Sequence, residues 1–226
     1  MNAVIYYSNT GQSKRIAQYF SEKTAFSLYD IFGLPTYSFD TAILVFPVHC
    51  QNIPKPISDL LKRLNVQALI PIATYGKMCY GRVLYEIQKR YNHDITAAAY
   101  VPAKHAYISE SEHFDYESLN PLLSKISDCT PIIIPKTYKN PLSNLCKGLR
   151  SRMGVKIYKN KNCTDCGACT AACNNNAINN GVTNRKCIRC LKCVAECPNN
   201  ALHFKNRLPM RLYLRKNKIN RTVIFI

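Results

Sequence analysis

Eight of the twelve cysteines fall into two runs whose spacing is suited to binding a metal centre. Each run reads Cys-x2-Cys-x2-Cys-x3-Cys, and the second follows the first at an interval of 24 residues. As thiolates these side chains would be ligands for zinc or for an iron–sulfur cluster. The positions are Cys163, Cys166, Cys169 and Cys173 in the first run and Cys187, Cys190, Cys193 and Cys197 in the second.

The two runs resemble those of bacterial two-cluster ferredoxins, in which a proline follows the last cysteine. Pro198 holds that place in the second run, whereas the first run has Asn174. The resemblance implies two 4Fe-4S clusters and a fourth cysteine in each run that binds the other cluster. One site would then use Cys163, Cys166, Cys169 and Cys197, and the other Cys187, Cys190, Cys193 and Cys173.

Sequence similarity between the runs extends past the cysteines and predicts two halves related by a pseudo-twofold axis. Asn175-Asn176-Ala177 in the first half matches Asn199-Asn200-Ala201 in the second. Two other uses of cysteine remain open. Zinc sites usually pair Cys-x2-Cys units across a longer gap, and disulfides require an oxidising compartment. The third closely spaced cysteine of each run favours iron–sulfur clusters over both.

Length and composition limit the kind of protein this is. The 226 residues allow one full domain and a small cluster domain that would depend on its metal for stability. The N-terminus has no leader pattern, and no segment approaches 18 uncharged apolar residues. We therefore expect a cytoplasmic protein with reduced thiols and no stable membrane insertion.

The charge balance favours an acidic partner. The formal net charge is +18, and from residue 155 onward fourteen Lys and Arg face only Asp165 and Glu196. Two bound clusters would reduce the charge of that part to about +8. No nucleic-acid-binding motif accompanies the basic residues, so we expect redox proteins with acidic docking surfaces and no nucleic acid. Solvated charge without a specific partner is the alternative.

The first 135 residues alternate apolar runs with amphipathic stretches, which predicts an α/β domain with a parallel sheet covered by helices on both faces. The candidate strands are Ala3–Tyr7, Phe26–Ile31, Thr41–Pro47, Ala68–Thr74 and Ile95–Val101. The candidate helices are Gln12–Glu22, Ile57–Leu64, Arg82–Tyr91 and Leu119–Ser127. Ligands of such sheets bind beyond the carboxyl ends of the strands, in the loops after strands one, three and four.

The loop after the first strand has the composition of a phosphate site. Hydroxyls, a glycine and the free N–H groups of a helix start favour binding of a phosphate group. This loop resembles the flavodoxin phosphate loop, Thr/Ser-x-Thr-Gly-x-Thr/Ser. A hydroxyl-rich N-cap without a ligand would look similar. The candidate residues are Ser8, Thr10, Gly11, Gln12 and Ser13.

The loops after strands three and four lie where flavodoxins hold the isoalloxazine ring. Tyrosines there could stack on the ring, and glycines would allow close backbone approach. Packing without a ligand is the alternative for each tyrosine and for His49. Proteins in which a flavodoxin-like domain is fused to a two-cluster ferredoxin domain commonly carry a Tyr-Gly-Gly type sequence in place of His49-Cys50-Gln51. The candidate residues are Pro47, Val48, His49, Thr74, Tyr75, Gly76, Tyr80 and Gly81.

As a whole, residues 1 to 204 resemble the family in which a flavodoxin-like domain is fused to a two-cluster ferredoxin domain. The resemblance implies a doubly wound, five-stranded parallel sheet of order 2-1-3-4-5 that binds FMN, followed by a small α+β ferredoxin domain with two 4Fe-4S clusters. The expected parts are a flavodoxin-like domain (1–135), a linker with a short amphipathic helix (136–156), a ferredoxin domain (157–206) and a basic tail (207–226).

The linker helix is indicated by apolar residues at helical spacing, which are Leu142, Leu145, Cys146, Leu149 and Met153. The tail has seven Lys and Arg from residue 205 onward and no acidic residue. Peripheral membrane contact by this tail is one hypothesis, and solvated charge with a frayed or strand-paired end is the other.

These features together indicate an electron-transfer protein that passes single electrons between the two clusters and FMN. No residue is required as acid, base or nucleophile. Two alternatives remain open. One is a flavin-dependent reductase of a quinone or small acceptor, fed by the clusters, and the other is an iron–sulfur redox sensor or binding module with a vestigial flavin site.

Overall fold

The computed structural model describes residues 1–108, 114–144, 147–216 and 218–226, and of 147–150 only the backbone. The chain divides into two compact units. The first unit is Met1–Ser143 together with Lys218–Ile226, and the second is Asn144–Asn217. Among the residues so described, no helix has the length and apolar character needed to cross a membrane.

The first unit is built on one six-stranded sheet. Its strands are β1 (Ala3–Tyr6), β2 (Ser27–Asp30), β3 (Ser38–Pro47), β4 (Asn65–Tyr75), β5 (Ala98–Pro102) and, from the end of the chain, β10 (Val223–Phe225). They lie in the order β10-β5-β4-β3-β1-β2. The first five strands are parallel, which confirms the predicted α/β class with a mostly parallel sheet. The expected count of five strands is wrong, because antiparallel β10 adds a sixth at the edge of β5.

Both faces of this sheet are buried, because neighbouring residues along each central strand point to opposite sides. On one face Ile5, Leu44 and Phe46 pack with α2 and α3, and on the other Val4, Ile43 and Val45 pack with α1 and α4. The helices are α1 (Gln12–Thr24), α2 (Lys55–Leu61), α3 (Val83–Tyr91) and α4 (Asn120–Leu123).

Three predicted elements differ from their observed bounds. The helix expected over Leu119–Ser127 contains only one α-turn, because the next turn is closed by i to i+3 bonds from Lys125 to Leu122 and from Ile126 to Leu123. β5 begins at Ala98, and Ile95 forms only an isolated bridge with Leu69. α2 begins and ends earlier than expected, since it starts directly after Pro54.

The segment Ile132–Ser143, which we call the strap, is fixed to the first unit although most of it was expected to be linker. The backbone of Ile132 bonds Ile95, and the backbones of Ile132 and Ile134 bond the side chain of Gln88. The strap contains a short 3-10 turn, Pro141–Asn144, at its end. Sequence could not show this, because the anchoring bonds are made by the strap backbone to residues some 40 positions away in the chain.

The second unit is small and is held by two short sheets. β6 (Val155–Lys159) pairs with β9 (Leu202–Asn206), and β7 (Ile178–Asn179) pairs with β8 (Val182–Thr183), both antiparallel. Its helices are α5 (Lys147–Gly154), α6 (Ala168–Ala171), α7 (Lys192–Ala195) and α8 (Leu208–Leu214). α5 agrees with the predicted linker helix, whereas Leu145, Cys146 and the side chain of Leu149 lie outside the described residues.

The segment expected to be a basic tail, 207–226, is ordered in two parts. α8 belongs to the second unit, and the residues from Lys218 onward belong to the first. Val223 pairs with Tyr100, and Phe225 with Ala98. Of the two hypotheses for this segment, strand pairing agrees with the structure for its last residues, because Val223, Ile224 and Phe225 complete the sheet edge.

Candidate functional site

Four cysteines from both runs line one cavity of the second unit. Cys163 and Cys166 lie on the loop that leads into α6, Cys169 lies in the first turn of α6, and Cys197 comes from the end of the second run. Gly167 allows this loop to turn, since its φ of 77° is left-handed. The structure thus brings together the four residues that the sequence predicts for the first cluster site.

The other four cysteines influence one another electrostatically. Burial, followed by the charges of the neighbouring Cys190, Cys187, Cys173 and Cys169, raises the pKa of the Cys193 thiol to about 12. Burial also raises the pKa of Cys190, again with Cys187 and Cys173 as neighbours. Mutual influence of this kind requires proximity, so Cys173 of the first run lies near Cys190 and Cys193 of the second, and Cys169 also lies near Cys193. Bound iron would reverse these shifts, because a coordinated thiol loses its proton.

Matching backbone conformations relate the two halves. Left-handed φ angles recur 24 residues apart, at Gly167 (77°) and Leu191 (65°) and at Asn176 (48°) and Asn200 (47°). α6 and α7 are separated by the same interval. The repeat seen in the sequence is therefore also a repeat of backbone conformation.

The fourth cysteine of each run accepts a backbone hydrogen bond in the same way. Ala177 N–H donates to Cys173 Sγ (3.3 Å), and Ala201 N–H donates to Cys197 Sγ (3.2 Å). Backbone hydrogen bonds, that from Ala201 being the largest influence, lower the pKa of Cys197. Such bonds stabilise a thiolate, the form in which cysteine binds a metal.

The thiols surround space rather than a single point. Within the described ranges, no three His, Cys, Asp or Glu side chains are grouped closely enough to hold one metal ion. A mononuclear zinc site would need such a group, with each sulfur about 2.3 Å from the metal. A cubane cluster is larger than one ion and meets its four thiolates at separate corners.

The predicted phosphate loop of the first unit has a preformed turn. Gly11 has a φ of 87°, and its N–H donates to Ser8 Oγ (3.1 Å). α1 starts at Gln12 without a side-chain cap, so its first-turn N–H groups point out of the helix end. Thr10 is exposed, whereas Ser13 is buried and shares a hydrogen bond with Thr74 Oγ1 (3.0 Å). This hydrogen bond joins the start of α1 to the end of β4.

The loop after β3 is a tight turn. Pro47 ends β3, and Val48 N–H bonds the carbonyl of Thr74 (2.7 Å). His49 and Asn52 form reciprocal backbone bonds around two left-handed residues, Cys50 (50°) and Gln51 (63°). This geometry is that of a type I′ turn.

The His49 side chain links this turn to the phosphate loop. Asn9 Nδ2 donates to His49 Nε2 (3.2 Å), and burial lowers the pKa of His49 to about 4. His49 is therefore neutral near pH 7 and joins the loop after β1 to the loop after β3.

Tyr75 does not present its ring as the sequence predicts for a flavin platform. It is only 2% exposed, and its hydroxyl donates to the carbonyl of Arg221 (2.7 Å). Tyr80 stacks on Tyr100 with ring centroids 4.2 Å apart and meets Tyr75 edge-on. The reason is the returning C-terminal segment, which completes the sheet beside these rings and which the sequence did not place there.

The two glycines after β4 do provide close backbone approach, but to the chain itself. A Cβ on Gly76 would lie 2.7 Å from His105 Cδ2. A Cβ on Gly81 would lie 2.9 Å from the carbonyl oxygen of Gln51, and Gly81 has a φ of 67°. Burial lowers the pKa of His105 to about 4. Through these contacts the loop after β4 packs against the loop after β3 and the loop after β5.

A buried ionic cluster beside these loops was missed by the sequence analysis. Lys139 of the strap donates to Glu86 Oε1 and to Asn52 Oδ1, each at 2.8 Å. Asn52 in turn donates to the carbonyl of Ser143 (3.2 Å), and Gln51 Oε1 accepts from the backbone of Asn140 (2.8 Å). The only available signal was the charged Glu86 on the apolar face of α3, between Val83 and Ile87.

Comparison with known proteins bears on the second unit. Residues 182–203 match the family described as 4Fe-4S binding domain. This segment contains all four cysteines of the second run, so the chain carries an iron–sulfur binding segment. None of the curated proteins compared matches the sequence.

Two solved structures show some likeness to the chain. One is a putative flavoprotein from Bacteroides uniformis, with 16% identity over 54% of this chain and 97% of that chain and a TM-score of 0.42. The other is rubredoxin oxygen:oxidoreductase from the anaerobe Desulfovibrio gigas, with 18% identity over 55% of this chain and 35% of that chain and a TM-score of 0.41.

Proposed function

We propose that this chain is an electron-transfer protein whose eight run cysteines hold two 4Fe-4S clusters. The observation that carries the proposal is the cavity lined by Cys163, Cys166, Cys169 and the distant Cys197. A site assembled from both runs is what the two-cluster arrangement requires. When bound, the clusters supply reversible one-electron chemistry, and the protein supplies the thiolates, the N–H donors to sulfur and the shielding from water.

The prediction that the fourth cysteine of each run binds the cluster of the other run can be tested by substitution. Cys197→Ser should impair the site that contains Cys163, and Cys173→Ser should impair the site that contains Cys187. After anaerobic reconstitution with iron and sulfide, each variant should hold about half the iron of the unchanged protein. Cys129→Ser is the matched control, because Cys129 is an exposed cysteine outside both runs.

The outcome that opposes this assignment is also specific. If Cys197→Ser keeps the full iron content, Cys197 is not a ligand, and the sites are not exchanged between runs. If Cys129→Ser loses iron as well, the loss does not report on the predicted ligands.

The second part of the proposal is that the first unit binds FMN through its phosphate loop. Support comes from the left-handed Gly11, the uncapped start of α1 and the exposed Thr10 hydroxyl. The three favour binding of a phosphate group, because helix N–H groups and hydroxyls donate to its oxygens. The bound flavin would supply chemistry in one-electron or two-electron steps.

A comparison of FMN with riboflavin tests this loop. Both carry the isoalloxazine ring, but only FMN has the phosphate. We expect the protein to quench FMN fluorescence at lower concentrations than riboflavin fluorescence. Thr10→Ala should weaken FMN binding and leave riboflavin binding unchanged, whereas Thr36→Ala, at a partly exposed threonine in another loop, should change neither. Equal affinity for the two flavins, or no quenching by either, would oppose an FMN site.

A second candidate function is an iron–sulfur redox sensor with a vestigial flavin site. The observation that favours it is the burial of Tyr75 beneath the C-terminal segment, together with the stacking of Tyr80 on Tyr100. A flavin-dependent reductase is less well supported, because it needs an open flavin face at these loops. Turnover with a quinone would favour the reductase, and intact clusters without any flavin binding would favour the sensor.

The partner proposed for electron exchange is a redox protein with an acidic surface. The second unit has fifteen Lys and Arg and only two acidic residues, Asp165 and Glu196. Opposite charge accelerates encounter, and salt screens the attraction. The rate of electron transfer to an acidic ferredoxin or flavodoxin should therefore fall as ionic strength rises.

A further inference from the structure

The pseudo-twofold repeat places residues of opposite charge at equivalent positions in the two cysteine runs. Asp165 lies between the first and second cysteines of the first run, and Arg189 holds the same place in the second. Their backbones match, with φ angles of 51° and 62°. The two sites therefore have the same backbone conformation at this position but side chains of opposite charge.

The surroundings of these two residues differ as well. Asp165 is about half exposed, and its carboxylate accepts a salt bridge from Lys159 (2.9 Å). Arg189 is partly buried, its Nε is shielded from solvent, and its guanidinium donates to the hydroxyl of Thr183 (2.8 Å). Water and Lys159 screen the negative charge of Asp165. The positive charge of Arg189 is screened less, because its side chain is partly buried.

Neighbouring charges strengthen the difference. Both acidic residues of the second unit, Asp165 and Glu196, lie next to cysteines predicted for the first site, in which Cys197 takes part. In the sequence, each of Cys187, Cys190 and Cys193 of the second site directly follows a cation. Those cations are Lys186, Arg189 and Lys192.

We propose that Arg189 makes the site of Cys173, Cys187, Cys190 and Cys193 the first of the two to accept an electron. The proposal rests on the two-cluster function proposed above. Reduction adds one negative charge to a site, and a nearby cation stabilises that charge. Burial of Cys187 and Cys193 acts in the opposite direction by removing water, but it also strengthens the interaction with Arg189. The direction of electron flow inside the unit is then from the first site to the second.

An anaerobic redox titration followed by electron paramagnetic resonance tests this order. Each reduction takes one electron from dithionite and makes or breaks no covalent bond. The unchanged protein should show two one-electron waves. Arg189→Gln should lower the upper wave by about 59 mV, a tenfold change in the one-electron equilibrium, and should move the lower wave less. In Arg189→Lys the potential of the upper wave should stay close to that of the unchanged protein, because lysine keeps the positive charge.

Two further variants complete the experiment. Asp165→Asn should raise the lower wave and leave the upper one, which tests the same asymmetry at an exposed and tolerant position. Arg207→Gln is the matched control, because Arg207 is an exposed cation of the same unit, ten residues beyond Cys197, and should move neither wave.

Three results would overturn the proposal. They are coincident waves in the unchanged protein, a shift of the lower wave at least as large as that of the upper wave on Arg189→Gln, and a shift of the upper wave on Asp165→Asn. If Arg189→Gln cannot be loaded with iron, Asp165→Asn and Arg189→Lys still decide the order. Failure of the two-cluster function itself is distinguishable, since the unchanged protein would then bind far fewer than about eight irons.

Discussion

Gly81 is the residue at which the loops after β3 and β4 come closest. Its φ of 67° is strained for any side chain, and a Cβ would lie 2.8 Å from Gln51 Cβ and 2.9 Å from the Gln51 carbonyl. Its own carbonyl accepts a hydrogen bond from Thr137 of the strap (2.6 Å). Gly81, in the loop after β4, thus contacts both the loop after β3 and the strap.

Gly81→Ala should therefore lower the free energy of unfolding by about 2 kcal/mol, since it combines backbone strain with overpacking. Urea unfolding followed by far-UV circular dichroism measures this, because the chain has no tryptophan. Gly33→Ala is the control, as its Cβ would meet nothing closer than 3.8 Å and should cost little. Equal stability of the two variants would contradict this account of Gly81.

Glu86 ties the strap to α3. Desolvation raises its pKa, but hydrogen bonds from Lys139 and Arg82 lower it overall below the ordinary value of 4.5. A lowered folded-state pKa means that the stabilisation is present above about pH 4.5 and is lost as the pH falls through the folded-state value.

Glu86→Gln should accordingly cost about 2 kcal/mol at pH 7 and should lose less stability than the unchanged protein on acidification. The measurement is urea unfolding at pH 7 and at pH 4. Glu22→Gln, at an exposed glutamate of α1, should follow the unchanged protein at both pH values. A parallel loss of stability in Glu86→Gln and the unchanged protein would show that Glu86 does not contribute this pH dependence.

Sequence predicted side chains better where local spacing determines their role than where distant segments do. The pairing of the run cysteines into two sites is a prediction from local spacing and the pattern of known ferredoxins, and one cavity brings the first predicted set together. Tyr75 could not be placed correctly, because its hydroxyl partner, Arg221, is 146 residues away in the chain. The roles of Lys139 and Asn52 depend on the same kind of long-range contact.

At the scale of elements, β10 is the unexpected part of the sheet. It pairs with β5 and covers the edge that a five-stranded sheet would leave open. Ile219 N–H bonds the carbonyl of Lys77 (2.6 Å), and Tyr75 holds Arg221. The C-terminal segment is therefore anchored both to the edge strand and to the loop after β4.

Tyr75→Phe should loosen this anchor without unfolding the sheet. The lost hydrogen bond is worth about 1 kcal/mol, so amides of 223–225 should exchange about fivefold faster. Hydrogen exchange with mass spectrometry resolves this segment. Tyr138→Phe, at an exposed tyrosine of the strap, should leave the exchange unchanged. Unaltered exchange in Tyr75→Phe would mean that the segment is held by β10 pairing alone.

The prediction of elements is most accurate where the apolar pattern is strong, and it fails for the short strand β10 near the C-terminus. The strands β1, β3 and β4 are close to their expected positions, because their buried runs are hydrophobic and, in β3 and β4, long. The three residues of β10 gave no distinguishable signal, since a short apolar run has no period of its own.

At the scale of the whole molecule, the two units differ in what stabilises them. The sheet of the first unit has two apolar cores, one on each face. Among its described residues, the second unit has few buried apolar side chains, and three of these are the run cysteines Cys169, Cys187 and Cys193. Bound metal would therefore contribute much of the second unit's folding free energy.

Removal of the clusters should unfold the second unit and leave the first folded. After anaerobic chelation, amides in 155–206 should lose protection from exchange, while those of β1, β3 and β4 should keep it. The same chelator applied to protein that was never reconstituted is the control. Retained protection in 155–206 would show that the unit folds without metal.

The division into units was only partly predictable, because the chain returns to the first unit after the second. The residues 144–217 form one contiguous segment between two parts of the other unit. Sequence indicates a small cysteine-rich segment by composition, but no local pattern shows that Lys218–Ile226 rejoins the sheet.

The central claim is that the eight run cysteines hold two 4Fe-4S clusters in one chain. The most direct test is the iron and acid-labile sulfide content of the protein after anaerobic reconstitution and removal of unbound iron. We predict about eight irons and about eight sulfides per chain. A content of about four irons, or iron without matching sulfide, would contradict the claim.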